Sequence, residues 1–313
     1  MLIKLLGTAA GGGFPQWNCS CHNCSRLRSA ANSLKRRFHS SIAFSADGDQ
    51  WYLINATPDI RFQLESFKEL QAGPDMRSTP LQGVLLTDAE LDHTIGLLIA
   101  REGSSLTIWS SKPILETLSA DFPVSKILTS YSSARWQPIE TLTPVSIAKH
   151  IQVTAYPLGA KQPLYTLNKL DNPACVLGYK VADERTGKSF LYAPQIAAWT
   201  PELRSAIETS AICFVDGTFW SSTELIDLGV SKKTSLEMGH LPLSGQGGLA
   251  MALKDLASTT KVLVHINNTN PILDESSDEF RLLRNYGIEP GYDGMEFEIR
   301  DAGVYRERLR AER

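Results

Sequence analysis

The chain has 313 residues, of which 42% are apolar and 21% charged, and a formal net charge of −3. That balance provides for a sizeable globular core and excludes a broadly basic nucleic-acid surface. No apolar run reaches the roughly eighteen residues of a membrane-spanning helix, so the expected location is the cytoplasm.

Met1–Gly7 reads as a buried first strand, not a leader peptide. It runs into Gly7-Thr8-Ala9-Ala10-Gly11-Gly12-Gly13, whose glycines allow a tight loop passing beneath an active site. The pattern of a phosphate loop is not completed there, because no Lys-Ser/Thr follows. Five cysteines are an odd number, and Cys19, Cys21 and Cys24 crowd into a C-x-C-x-x-C spacing, which argues against a disulfide framework. Three thiolates so spaced can converge on one ion within a turn, as in structural zinc sites that take one further ligand. His22 is adjacent in sequence, and a distant segment is the alternative source of that ligand. Cys175 and Cys213 lie in apolar surroundings and read as ordinary buried thiols.

Arg26, Arg28, Lys35, Arg36 and Arg37 concentrate positive charge; solvated faces account for most of it. Arg36 and Arg37 lead into the strand Ser41–Phe44 and could face an anionic ligand. Asp47-Gly48-Asp49 marks a hairpin before Trp51–Ile54, and Asn55–Arg61 turns into a helix with Pro58 near its start. The apolar run Val84–Thr87 predicts a strand, followed by Asp88, Glu90, Asp92 and His93 and then a helix after His93. An extended loop would aim all three carboxylates the same way. Such crowding calls for a cation or open solvent.

Leu106–Trp109 predicts another strand, and Ser111 a helix cap. Residues 138–155 read as paired strands, and Val176–Val181 and Ser189–Tyr192 flank a turn at 185–187. Ala211–Val215 is an apolar strand that delivers Asp216; Lys261–Val264 is another that delivers His265, with Met238-Gly239-His240 between them. No low-complexity linker interrupts the pattern. The expectation is one α/β domain over 1–313, two sheets between helices, with a cysteine loop at about 13–25.

Asp92, His93, Asp216 and His265 all fall at the ends of rigid elements, where a metal site needs its ligands. Mixed oxygen and nitrogen donors with open positions suit iron, manganese or zinc.

Leu86-Thr87-Asp88-Ala89-Glu90-Leu91-Asp92-His93-Thr94-Ile95-Gly96 resembles the metallo-β-lactamase-fold signature T-H-x-H-x-D-H-x-x-G. Asp92, His93 and Gly96 match; Asp88 and Glu90 replace the two leading histidines. Gln195 stands where relatives carry a bridging aspartate, and Lys161 or a neighbour where they carry another histidine. More narrowly, Gly7–Cys19, Thr87–Gly96, Phe214–Trp220 and His265–Pro271 resemble the coenzyme PQQ synthesis protein B family. The resemblance implies an αββα four-layer sandwich and a role in making pyrroloquinoline quinone (PQQ).

It further implies an iron-dependent hydroxylation of the tyrosine ring of a Glu–Tyr precursor. Asp92, His93, Asp216 and His265 would hold Fe(II) or another divalent metal, with His240 as ligand or proton carrier. Asp88 and Glu90 would neutralise the ion or act as bases, and Arg36, Arg37 and Lys161 would meet substrate carboxylates. Its partners would be PQQ or its precursor and other PQQ-biosynthesis proteins. A soluble carrier with a transport role and a metal-dependent hydrolase are the alternatives. Related phosphodiesterases of phosphonate metabolism carry similar cysteines, with zinc completed by a histidine three positions past the last metal histidine. Here that position is Asn268.

Overall fold

The computed structural model describes residues 1–29, 34–102 and 105–307, so the last six residues of the expected single domain lie outside the described ones. In the first half of the chain β1 (Leu2–Gly7), β2 (Ser41–Ser45), β3 (Trp51–Ile54), β4 (Leu81–Leu85), β5 (Thr107–Ser110) and β6 (Arg135–Pro138) are laid down side by side. The second half forms β7 (Val145–Ala148), β8 (Ile151–Gly159), β9 (Val176–Asp183), β10 (Lys188–Ala193), β11 (Ile212–Asp216), β12 (Thr260–Val264) and β13 (Ile288–Pro290). The chain then returns to the first sheet with β14 (Glu296–Arg300) and β15 (Gly303–Glu307). The sheet orders are β15-β14-β1-β2-β3-β4-β5-β6 and β13-β12-β11-β10-β9-β8-β7.

Each sheet is antiparallel on one side and parallel on the other. The parallel parts are β3-β4-β5-β6 and β10-β11-β12-β13. Parallel strands point their carboxyl ends the same way, and ligands gather outside those ends. Here those ends carry Asn55, the acidic loop, Gln195, Asp216 and His265.

Pleating separates the two faces of the second sheet. Phe190, Tyr192, Phe214, Val262 and Val264 face the first sheet, and Leu191, Ala193, Cys213, Val215 and Leu263 face an outer helical layer. That layer includes Leu203 and Ile207 of the helix Pro201–Glu208 and Leu249 and Leu253 of the helix Leu249–Lys254. Ring pairs Phe44–Phe190 and Phe214–Phe297, each 5.5 Å between centroids, join one sheet to the other edge to face. On the far side of the first sheet, Ile60, Ile114, Leu118 and Leu128 extend the same core from helices. The result is the expected αββα sandwich.

Three local expectations are corrected. The strand before the acidic loop ends at Leu85, and the next helix starts at Leu91, two residues before His93. Ser111 occupies the first cap position of the helix Lys112–Ala120, but its hydroxyl donates to the Ala174 carbonyl at 2.6 Å instead of capping. Cys175 and Cys213 are buried as expected, and burial pushes the Cys213 thiol up to about 12.

Phe214 is fully buried between the sheets, so Phe214→Ala opens a cavity at their contact. Urea unfolding is expected to show a loss of about 3–5 kcal/mol. A loss under about 1 kcal/mol would mean that the sheets do not depend on this packing.

Candidate metal centre

The acidic loop is held at both ends. Asn55, at φ 68°, accepts a hydrogen bond from the Thr87 amide at 3.0 Å, and the Thr87 hydroxyl donates to Asp88 Oδ2 at 2.7 Å. From the other sheet, the Leu177 amide donates to the Thr87 carbonyl at 2.7 Å and the Tyr179 hydroxyl to the Leu86 carbonyl at 2.7 Å. Gly96 then packs so closely that an added Cβ would lie 2.3 Å from the Thr57 carbonyl oxygen. Only glycine lets the helix carrying Asp92 and His93 approach the Asn55–Thr57 turn.

Because the helix starts at Leu91, the loop does not stay extended and its carboxylates diverge. Asp88 is buried behind His93, with Oδ2 2.7 Å from His93 Nδ1 and Oδ1 accepting from the Glu90 amide at 2.8 Å. Burial alone would raise the Asp88 carboxyl, but the charge of His93 and their hydrogen bond hold it at about 2. Glu90 and Asp92 line a cavity of about 290 Å³ with His93, His240, His265, Lys161 and Gln195. Asp88 does not line it.

A parallel arrangement holds the other two imidazoles. His240 Nδ1 lies 2.8 Å from Asp216 Oδ2, an oxygen that also accepts from the Ile196 amide at 2.9 Å. Asp216 Oδ1 accepts from the Thr218 amide and hydroxyl at 3.0 and 2.6 Å. Burial raises the Asp216 carboxyl, but His240, His265 and Thr218 together hold it below the ordinary value. The Thr218 hydroxyl also lies 2.8 Å from His265 Nδ1, so it can accept that N–H while donating to Asp216. His265 has φ 56°, an uncommon backbone state for a residue with a side chain, at the turn that brings its ring beside His240. Their rings are stacked 5.4 Å apart, and His93 lies 5.3 Å from His265.

Of the four residues expected to share an ion, Asp92, His93 and His265 therefore present donors to one point. Asp216, His240 and His265 form an overlapping group. Asp216, its two oxygens already taken by four protein donors, acts on His240 as Asp88 acts on His93. Fixing Nδ1 in this way sets the tautomer and aims Nε2 at an ion. His93 Nε2 is buried and has no hydrogen-bond partner among the described residues, which fits a metal-ligand position. Without an ion, burial lowers His93, yet the carboxylates of Asp88 and Asp92 win and push it up to about 9. Burial and the neighbouring imidazoles push His265 down to about 3, leaving a neutral ring.

Lys161 reaches the cavity, its Nζ 3.7 Å from Glu90 Oε1. Burial raises Glu90, as do Asp88 and Asp92, against the opposing pull of Lys161 and His93. Arg36 and Arg37 do not reach this cavity, which corrects their expected role. Arg36 is exposed, and Arg37 is buried as a clamp that donates to the Thr8 hydroxyl at 2.8 Å and to the Gly291 carbonyl. Its neighbour Asp293 is pushed up by burial to about 6, against the pull of Thr8 and Arg37. From the glycine loop, Ala10 and Gly11 line the cavity. Phe219, Leu225 and Met238 form an apolar wall that sequence reasoning missed; no periodicity marks them. Asn55, Thr87 and Thr218 were missed too, and only their places at strand ends could have suggested them.

Away from this cavity, Cys19, Cys21 and Cys24 converge, as their spacing predicts. His22 is exposed beside Arg26, and the group facing the three sulfurs is Asn268.

Comparison with known proteins decides the lineage of this arrangement. The beta-lactamase superfamily domain matches residues 50–266. Coenzyme PQQ synthesis protein B of Nitrosococcus oceani is 40% identical over 306 residues, covering 95% of this chain and 99% of its own. The Azotobacter vinelandii protein of that name is 42% identical over 303 residues, covering 96% and 100%. This chain belongs to the coenzyme PQQ synthesis protein B family. The crystal structure of zinc-bound PqqB from Methylobacterium extorquens superposes with a TM-score of 0.89 at 32% identity, over 95% of this chain and 100% of that one. A diphosphatase of the PhnP family shares the fold, with a TM-score of 0.67 at 16% identity, over 96% of this chain and 98% of its own. The chain is thus a PQQ-biosynthesis protein with the metallo-β-lactamase fold of that family. Among the described residues no helix is long and apolar enough to cross a membrane.

Asp88→Asn keeps the shape behind His93 but removes the charge that holds its Nδ1–H. Competition against a chelating dye is expected to show divalent-metal affinity at the histidine site falling about 10–100-fold. Unchanged affinity would show that Asp88 does not set the ring.

Proposed function

We propose that this member of the family is a non-heme iron oxygenase of PQQ biosynthesis. Its reaction is hydroxylation of the tyrosine-derived ring of a Glu–Tyr precursor. The observation that carries the reading is the buried, unpartnered His93 Nε2, set among Asp92, His265 and His240 beside an apolar wall. The M. extorquens relative is zinc-bound, which supports divalent-metal binding by a chain of this family, and the two-histidine, one-carboxylate set here suits Fe(II). A ferrous ion would supply the activation of dioxygen that ring hydroxylation requires.

The chain's own residues do the rest. Asp92, His93 and His265 would hold the ion, and His240, backed by Asp216, would be a further ligand or carry a proton at Nε2. Phe219, Leu225 and Met238 pack against the ring and keep water from it. Lys161 Nζ meets a substrate carboxylate, while the Glu90 carboxylate takes the phenolic proton. One atom of dioxygen enters as a ring hydroxyl and the other leaves as water, so two electrons and two protons come from an external reductant. Other PQQ-biosynthesis proteins would supply the precursor, and the whole chain would act as one domain in the cytoplasm.

The test is anaerobic loading with Fe(II), followed by oxygen, ascorbate and a tyrosine-derived Glu–Tyr substrate. The expected product carries one added ring oxygen, traced to labelled dioxygen by mass spectrometry and lost in His93→Ala and His265→Ala. Absence of product with every metal form, together with tight binding of the quinone, would replace the oxygenase by a carrier.

A further inference from the structure

A second cavity, of about 590 Å³, adjoins the metal cavity, and Leu225 and Asn267 line both. Its remaining lining comes from the cysteine loop, from Leu228 and Val230, and from the residues just after Asn267. It presents no carboxylate, ammonium, guanidinium or imidazole, whereas the metal cavity holds Glu90, Asp92, Lys161 and three histidines. A charged ligand would find no counter-ion there.

Amides stand beside apolar side chains instead. Gln16 Nε2 donates to Asn18 Oδ1 at 2.8 Å, and Asn267 Nδ2 donates to the Thr269 hydroxyl at 2.6 Å. Among the described residues no hydrogen bond reaches Gln16 Oε1, Asn18 Nδ2 or Asn267 Oδ1. Two acceptors and a donor are thereby left for a ligand. Leu228, Val230 and Trp17, which stands between Gln16 and Asn18 in sequence, leave more than half of their surfaces in water. A peptide segment matches such a lining, because each unit brings one N–H, one C=O, no backbone charge and a side chain to pack. An inorganic anion or a nucleotide would ask for cations that the cavity lacks.

The metal cavity, at about 290 Å³, is small among ligand clefts, which run to about 300–1,000 Å³. It suits a ring with its nearest groups, and whatever is attached continues past Leu225 and Asn267. Resting on the reading that a tyrosine-derived ring occupies the metal cavity, we propose that the adjoining cavity is a subsite for an uncharged peptide segment joined to the ring-bearing residue. The chain then takes its substrate as part of a peptide longer than Glu–Tyr, and side chains outside the metal centre help to select it. An extended segment of three residues would span about 10 Å of this space.

Calorimetric titration of the zinc-loaded full chain with end-blocked peptides tests this without turnover. The first peptide is Glu–Tyr alone; two others carry three alanines before Glu or after Tyr. One of the extended peptides is expected to bind about tenfold more tightly than blocked Glu–Tyr. Leu228→Asp/Val230→Asp changes two exposed positions outside the metal cavity. That double variant is expected to erase the gain while binding blocked Glu–Tyr as the native chain does. Gln16→Ala is expected to lose about threefold of the gain. Equal affinity for all three peptides, or a gain that survives in the double variant, would overturn the subsite and leave the ring reading standing. Binding of none of them would overturn both. A native dimer by light scattering that the double variant splits would give this face to a second copy of the chain, which also overturns the proposal.

Discussion

Everything at the centre depends on how three buried imidazoles are held by their back nitrogens. A ring with one nitrogen committed to a fixed acceptor can present the other in one direction only. Asp88 does this for His93, Asp216 for His240 and the Thr218 hydroxyl for His265. Burying two carboxylates for this purpose is costly unless each is fully hydrogen-bonded, and each is: Asp88 by Thr87, Glu90 and His93, Asp216 by Ile196, Thr218 and His240. The two sheets contribute equivalent devices, a carboxylate just past a parallel strand that turns a histidine on the following segment.

That arrangement explains the departures from the usual two-metal signature. Asp88, in place of the first leading histidine, does not line the cavity but serves as an orienting group behind His93. Glu90 keeps a side chain in the cavity, paired with Lys161, and Gln195 lines it where the signature of relatives places an aspartate. What remains inside is nitrogen-rich, with Asp92 the carboxylate grouped with the imidazoles and Phe219, Leu225 and Met238 lining the same cavity.

Much of this was legible in the sequence because apolar runs ending in Asp or His carry a geometric statement. Ala211–Val215 and Lys261–Val264 read as buried strands, so Asp216 and His265 had to emerge at strand ends. The C-x-C-x-x-C run was equally direct, since thiols that close in sequence must meet. What could not be read was direction. Alternation made Asp88 look equivalent to Glu90 and Asp92, but helix onset at Leu91 rotates the later residues and leaves Asp88 behind. Arg37 looked available to an anion; its burial against Thr8 and Gly291 follows from a return of the chain near residue 291 that no local pattern announces. The wall of Phe219, Leu225 and Met238 comes from irregular segments, where periodicity says nothing.

The central claim is that these pinned histidines converge on one cation. Crystals loaded with Fe(II) under anaerobic conditions and measured on either side of the iron absorption edge test it most directly. The account predicts one anomalous peak about 2.0–2.2 Å from the Nε2 atoms of His93 and His265, with a carboxylate oxygen of Asp92 in the same shell. Iron bound only elsewhere, with His93 Nε2 hydrogen-bonded to protein, would contradict it.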